Sequence, residues 1–190
     1  MSRKYELKKR GEDMAATRLR ITEAAIALHG SLGPARTTMS AVAERAGVER
    51  RTLYRHFPNE ADLFAACSSH YFAAHPWPDL DELRAIRDPE QRLTRALDEL
   101  YAYYERTEPM LSHVLRDAET VGFARDAVAP LRAFLDEAAE TLAAGRRRQL
   151  LRKALRHAVA FSTWESLAAN GIRRADAVKL VSALVERAGQ

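Results

Sequence analysis

The chain is poor in the residues that staple or break a fold. Its 190 residues include one cysteine, eight glycines and seven prolines. A lone thiol, Cys67, can form neither an internal disulfide nor a multi-thiolate zinc site. It falls on an apolar helix side and is expected to be inert core. Little glycine and proline, set against abundant Ala, Leu, Arg and Glu, favours helix over sheet. No apolar run approaches the length of a bilayer span, and the basic opening MSRKYELKKR leads into no apolar leader core. A cytoplasmic protein in a reducing compartment, with no membrane partner, is therefore expected. Enzyme signatures are missing too. The chain has no Gly-x-Ser-x-Gly elbow, no His-Glu-x-x-His helix, no phosphate-cradling glycine loop and no dinucleotide fingerprint. The six histidines make no tight ligand pair with one another or with Cys67, so neither metal nor cofactor is expected.

What is present is a globular composition with a lopsided charge. Hydrophobic residues are 47% and charged residues 29%, normal for a soluble packed domain. The net charge is +4, but residues 1–60 carry 12 Lys and Arg against 7 Asp and Glu, or +5, and residues 61–190 carry 18 against 19, or −1. A basic segment on a neutral body suggests a polyanion-binding end, although a solvated basic tail would have the same composition.

Apolar periodicity organises the rest. Residues 1–13, with Lys4, Lys8, Lys9 and Arg10, read as a flexible basic arm ending at Gly11. Ile21, Ala24, Ala25 and Leu28 share one face of a helix over Ala15–His29, with Gly30 at its left-handed end. Thr37 and Thr38 open the next helix, Gly47 turns the chain, and a short helix follows over Arg50–His56. After Pro58-Asn59, Glu60 to Ala74 is helical, and His75-Pro76-Trp77-Pro78 excludes helix. A short helical piece is expected near Asp81–Ile86, and a longer helix from Pro89 to Arg106. Pro109 begins a separate short helix to about Ala118. Phe123–Ala144 reads as a long helix that Pro130 kinks or delays to Ala129, and Gly145 ends it. Arg146–Asn170 and Ala175–Ala188 complete an all-α chain of about nine helices with no strand pattern.

One stretch is more specific than the others. Residues 37–57, TTMSAVAERAGVERRTLYRHF, read as two short helices joined by a glycine turn, a helix-turn-helix. Ala43 and Ala46 let the helices cross closely, and Val48 and Leu53 fill the wedge. The polar side of the second helix presents Arg50, Arg51, Thr52, Arg55 and His56. Arginine grips guanine bidentately, and threonine meets a base or a thymine methyl. The hydroxyls of Thr38 and Tyr54 suit phosphate oxygens.

Thr37-Thr38, Ala43, Ala46-Gly47-Val48, Thr52-Leu53-Tyr54, His56-Phe57 and Leu63 together resemble the DNA-binding domain of TetR/AcrR-type transcriptional regulators. The likeness is close over about residues 15–70. The resemblance implies a homodimer with a three-helix head over 14–60 and a ligand-binding, dimerising body over 61–190. It implies repression of transcription at a palindromic operator, with release when a small-molecule effector enters the body. It carries base contacts onto Arg50, Arg51 and Thr52, and phosphate contacts onto Thr38, Tyr54 and His56. Two departures stand out: Arg51 replaces a usually small residue, and Glu60 stands where a phosphate-binding lysine is common.

In the body, Tyr101, Tyr103, Tyr104, Met110, His113, Phe161 and Trp164 are pocket candidates, because pockets and cores share an apolar lining. In the family, the last two long helices (146–170 and 175–188) pair with those of a second subunit. Ala154, Ala158 and Ala168 with Val181, Leu184 and Val185 fit such a seam. The dense run Arg146-Arg147-Arg148, Arg152, Lys153 and Arg156 would flank it, paired with Glu137, Glu140 or other carboxylates. The alternatives are a DNA-binding protein controlled by a protein partner and, more weakly, a helical enzyme.

Overall fold

The computed structural model describes residues 3–146 and 148–190, and side chains from Tyr5 onward. Met1, Ser2 and the Lys4 side chain of the expected arm, and Arg147 of the expected basic run, lie outside the described residues. Among those described there are eleven α-helices, one 3-10 turn and no strand. They divide into two compact units. One comprises Met1–Ala74 with Pro109–Val128, the other His75–Glu108 with Ala129–Gln190. The expected boundary at residue 60 thus differs from the observed one: the helix over Glu60–Ala74 and the segment Pro109–Val128 pack with the N-terminal helices.

The first unit opens with α1 (Arg3–Leu32), followed by a 3-10 turn (Pro34–Arg36), α2 (Met39–Ala46), α3 (Arg50–His56) and α4 (Glu60–Ala74). The helix expected from Ala15 starts twelve residues earlier, through the segment expected to be a flexible arm. Residues 5–14 are all exposed, so burial does not hold them. Helix-forming Glu, Leu, Lys and Arg, and a Lys8–Glu12 pair at 3.8 Å one turn apart, support the extension. The stop also moves. Gly30 remains helical, and the left-handed residue is Gly33 at φ 89. Ile21, Ala25, Val42, Leu53 and Phe57 are wholly buried and knit α1, α2 and α3 into one core with Leu63 and Cys67 of α4. Burying each of the larger ones, Ile21, Val42, Leu53, Phe57 and Leu63, contributes roughly 1.5–3 kcal/mol.

The second unit contains α5 (Leu80–Ala85), α6 (Pro89–Asp117) as far as Glu108, α8 (Ala129–Leu142), α9 (Gln149–Ala158), α10 (Phe161–Ala169) and α11 (Arg174–Gly189); α7 (Gly122–Ala127) belongs with the first. Two expectations fail here. Pro109 does not start a new helix; it lies inside the 29-residue α6. A proline removes one ladder bond, but the buried face stays in phase through it, from Leu97, Leu100 and Tyr104 to Thr107, Leu111 and Val114. Conversely, the single helix expected over Arg146–Asn170 is broken at Val159-Ala160, where Ala160 turns extended (φ −69, ψ 139). Two buried tyrosines of α6 fill the gap. Tyr101 Oη donates to the Ala158 carbonyl at 2.9 Å, and Tyr104 Oη donates to that of Val159 at 2.6 Å. In an unbroken helix those carbonyls would take amides four residues on; here the phenols replace them. The long helix expected over Phe123–Ala144 starts late, as α8 at Ala129, with α7 ahead of it. Of the basic run, Arg152 and Arg156 reach Glu140 on α8 at 2.5 and 3.3 Å. Glu137 instead pairs with Arg84.

Candidate nucleic-acid interface

The site begins at Thr38. Its extended backbone (φ −99, ψ 151) ends the turn before α2, and its Oγ1 accepts the Ala41 N–H at 3.2 Å. That bond uses the oxygen as acceptor, so the hydroxyl hydrogen remains available to donate. Gly47 closes α2 in the left-handed region (φ 63, ψ 41), and its successor Val48 donates back to the Ala43 carbonyl at 3.0 Å. A residue with a Cβ would be strained there. The tight turn delivers the chain to Glu49, and α3 starts at Arg50.

Leu53 and then Phe57 bury themselves and set which way α3 faces. The remaining positions of α3 carry the side chains singled out there from the sequence. Arg50, Arg51, Tyr54 and Arg55 are exposed, and Thr52 and His56 are half-buried. Among the described residues, none of the three arginines is paired with a carboxylate. Arg50 lies over the Tyr54 ring at 5.9 Å, which holds both side chains on one surface. Burial lowers the affinity of His56 for a proton, and the charges of Arg55 and Arg18 lower it further. Its ring is therefore neutral near pH 7 and offers a single N–H. Exposed Glu60 begins α4, so the carboxylate expected to oppose phosphate sits in solvent at that helix's first position.

Sequence reasoning missed Arg18. From α1 its Nη1 donates to the His56 carbonyl at 2.6 Å, and its guanidinium stacks 4.0 Å above Phe57. A cation at the C-terminal end of α3 opposes the helix dipole's negative end and secures the last turn.

The pocket candidates do not form one group. Tyr101, Tyr104, Phe161 and Trp164 lie together in the second unit. There the Tyr104 ring is 5.2 Å from Phe161 and 5.8 Å from Trp164, and Tyr101 is 6.3 Å from Tyr104. Tyr103 sits beside Tyr104 at 6.0 Å. Burial pushes all three phenols up, so they are neutral donors. Met110 and His113 belong to the first unit, where His113 Nδ1 lies 2.7 Å from the Pro109 carbonyl. Cys67 is buried, with its thiol pushed up to about 12 by burial, which suits inert core. No helix of the described residues is long and apolar enough to cross a membrane.

Comparison with known proteins bears on these features. Residues 21–67 match the profile of bacterial regulatory proteins, tetR family. Over 89 residues, 47% of this chain, there is 37% identity to ArpR of Pseudomonas putida, named a probable HTH-type transcriptional regulator. The HTH-type transcriptional regulator TtgR, also of Pseudomonas putida, is 36% identical over the same length. The match covers only 37% of the length of either relative. In fold the likeness runs further. The structure of NalD, the secondary repressor of the MexAB-OprM multidrug efflux pump in Pseudomonas aeruginosa, superposes with a TM-score of 0.66. It covers 93% of this chain and 97% of NalD at 22% identity. A TetR-like transcriptional regulator from Rhodococcus sp. RHA1 gives the same score over 91% of this chain and 95% of its own, at 19% identity.

Proposed function

We propose that this chain is a tetR-family bacterial regulator, on the match over residues 21–67, and that it is a homodimeric, ligand-responsive transcriptional repressor acting at a palindromic operator. The observation that carries the reading is the α3 surface: three arginines without carboxylate partners among the described residues, beside Thr52, Tyr54 and a neutral His56, on a helix anchored in the core by Leu53. Arg50, Arg51 and Thr52 read base edges. Thr38, Tyr54 and His56 hold phosphates, and Arg55 adds charge.

An open apolar face supports the dimer. A groove of about 280 Å³ on α9, α10 and α11 is lined by Ala154, Ala158, Leu167, Val181 and Leu184 among others. Leu180 and Leu184 are 44% and 61% exposed beside it. Binding an inverted repeat requires the two α3 helices of a dimer about one DNA turn apart, ~34–36 Å. An apolar small-molecule effector is part of the proposal, and to lodge beside Tyr104 it would have to part the packed rings of Phe161 and Trp164. Such a ligand acts by preferring the DNA-incompetent conformation, with a coupling of ~1–3 kcal/mol.

Selection from a random DNA pool tests the proposal. The chain should enrich an inverted repeat, and Arg50→Ala should lose ~1–3 kcal/mol at one base position of each half-site. Recovery of no preferred sequence would overturn the reading. An equal loss on every sequence would make Arg50 a phosphate contact.

A further inference from the structure

The last residue of α6 is an aspartate. An acid at a helix C-terminus meets the negative end of the dipole, which is unfavourable, and this one is also 5% exposed. Both carboxylate oxygens are engaged. Oδ1 accepts Arg116 Nε at 2.8 Å. Oδ2 accepts the backbone N–H of Ala35 at 2.9 Å, across 82 residues of sequence. Burial alone would raise this carboxyl, but the hydrogen bonds from Arg116 and Ala35 and the charges of Arg116 and His113 hold it below its ordinary value.

The loop is shaped to receive it. Gly33 adopts φ 89, and a Cβ there would run into the Asp117 carboxylate and the Arg116 guanidinium. The turn is then tied forward: Thr37 N donates to the Pro34 carbonyl at 3.2 Å, and Thr37 Oγ1 donates to the Gly33 carbonyl at 2.8 Å. The next residue is Thr38, the cap of α2. Hydrogen bonds, joined by the short backbone between them, thus link Asp117 through the turn to the start of the helix-turn-helix. Pro34 is buried and anchors the start of this turn, whereas Ala35 and Arg36 are exposed, so past Pro34 the turn is held by hydrogen bonds and not by apolar burial.

We propose that Asp117 is a positioning residue for DNA recognition: its carboxylate fixes the Gly33–Thr37 turn and with it the angle at which α2 and α3 leave the core. The proposal rests on the DNA-binding reading above. Direct readout needs side chains held in register on base edges, whereas sequence-independent binding needs only positive charge near phosphate. Loosening the turn should therefore damage the first and spare the second.

The test compares wild type, Asp117→Asn and Gly33→Ala on two duplexes of equal length: the sequence selected by the wild type, and a scrambled one. Asp117→Asn keeps the shape and removes the charge. Gly33→Ala pushes a methyl into the same contact from the loop side. Each variant should bind the selected duplex at least tenfold more weakly while its affinity for the scrambled duplex and the salt slope on it stay at wild-type values. Amide exchange at Ala35 should accelerate. A wild type that prefers no sequence would sink the DNA-binding reading itself. Variants that keep the preference would overturn the Asp117 assignment alone. So would equal losses on both duplexes, or variants that melt below the assay temperature, because the carboxylate would then serve folding and not register.

Discussion

His29 illustrates how a single side chain gives the N-terminal unit a pH dependence. It is 5% exposed, its ring 4.9 Å from that of Phe64. Burial lowers its pKa from 6.5 to about 4, with the Asp117 charge pulling the other way. The unfolded chain therefore takes up a proton first as the pH falls. Stability is fully present above about 6.5 and drains away down to about 4. Between pH 7 and pH 5 the loss should be about 2 kcal/mol, measured by urea denaturation, and His29→Gln should flatten the profile. A wild-type profile already flat over that range would mean that the imidazole is solvated. Asp117 adds a loss of the same sign at lower pH, since a depressed carboxyl stabilises only while ionised. Single residues were legible in the sequence where their partners are close. Thr38 as a cap and Gly47 as a left-handed turn follow from neighbours within four positions. Arg18 and Asp117 were not, because their acceptor and donor lie 38 and 82 residues away.

Helices tell a similar story. Those over Arg50–His56 and Glu60–Ala74 lie where the sequence places them, because Gly47, Pro58 and Pro76 punctuate them and an apolar side runs between. Periodicity and punctuation conflict at Pro109, and periodicity wins: a buried face running through Thr107 to Leu111 outweighs one lost hydrogen bond. No local signal marks the break at Val159-Ala160, since both residues are compatible with helix. The break exists because Tyr101 and Tyr104 supply replacement donors. Tyr104→Phe should then leave the Val159 carbonyl buried without its partner and cost ~1–3 kcal/mol in denaturant midpoint experiments. An unchanged midpoint would show that another group satisfies the carbonyl.

For the molecule as a whole, association is the property on which the proposed operator recognition depends. If the groove beside Leu180 and Leu184 joins two copies, Leu184→Glu should bury two carboxylates against an apolar seam and drive the dimer apart. Sedimentation should then report a monomer, and binding to an inverted repeat should fall to that of a single half-site. A dimer that survives the substitution would move the interface elsewhere. The charge asymmetry would scale with association: in the proposed dimer the +5 of residues 1–60 is doubled, and residues 61–190 add almost nothing.

By itself the sequence determined the helical class, the helix-turn-helix and the side chains its second helix exposes, which are the proposed DNA contacts. Each depends on propensity, on a capping residue or on a period read within one or two turns. The tertiary structure alone decided which proline ends no helix, where the long C-terminal helix breaks and which aromatics gather. It also decided that an aspartate at the end of α6 grips the turn before α2. These depend on donors and acceptors brought together across tens of residues, and burial makes leaving either partner unsatisfied costly.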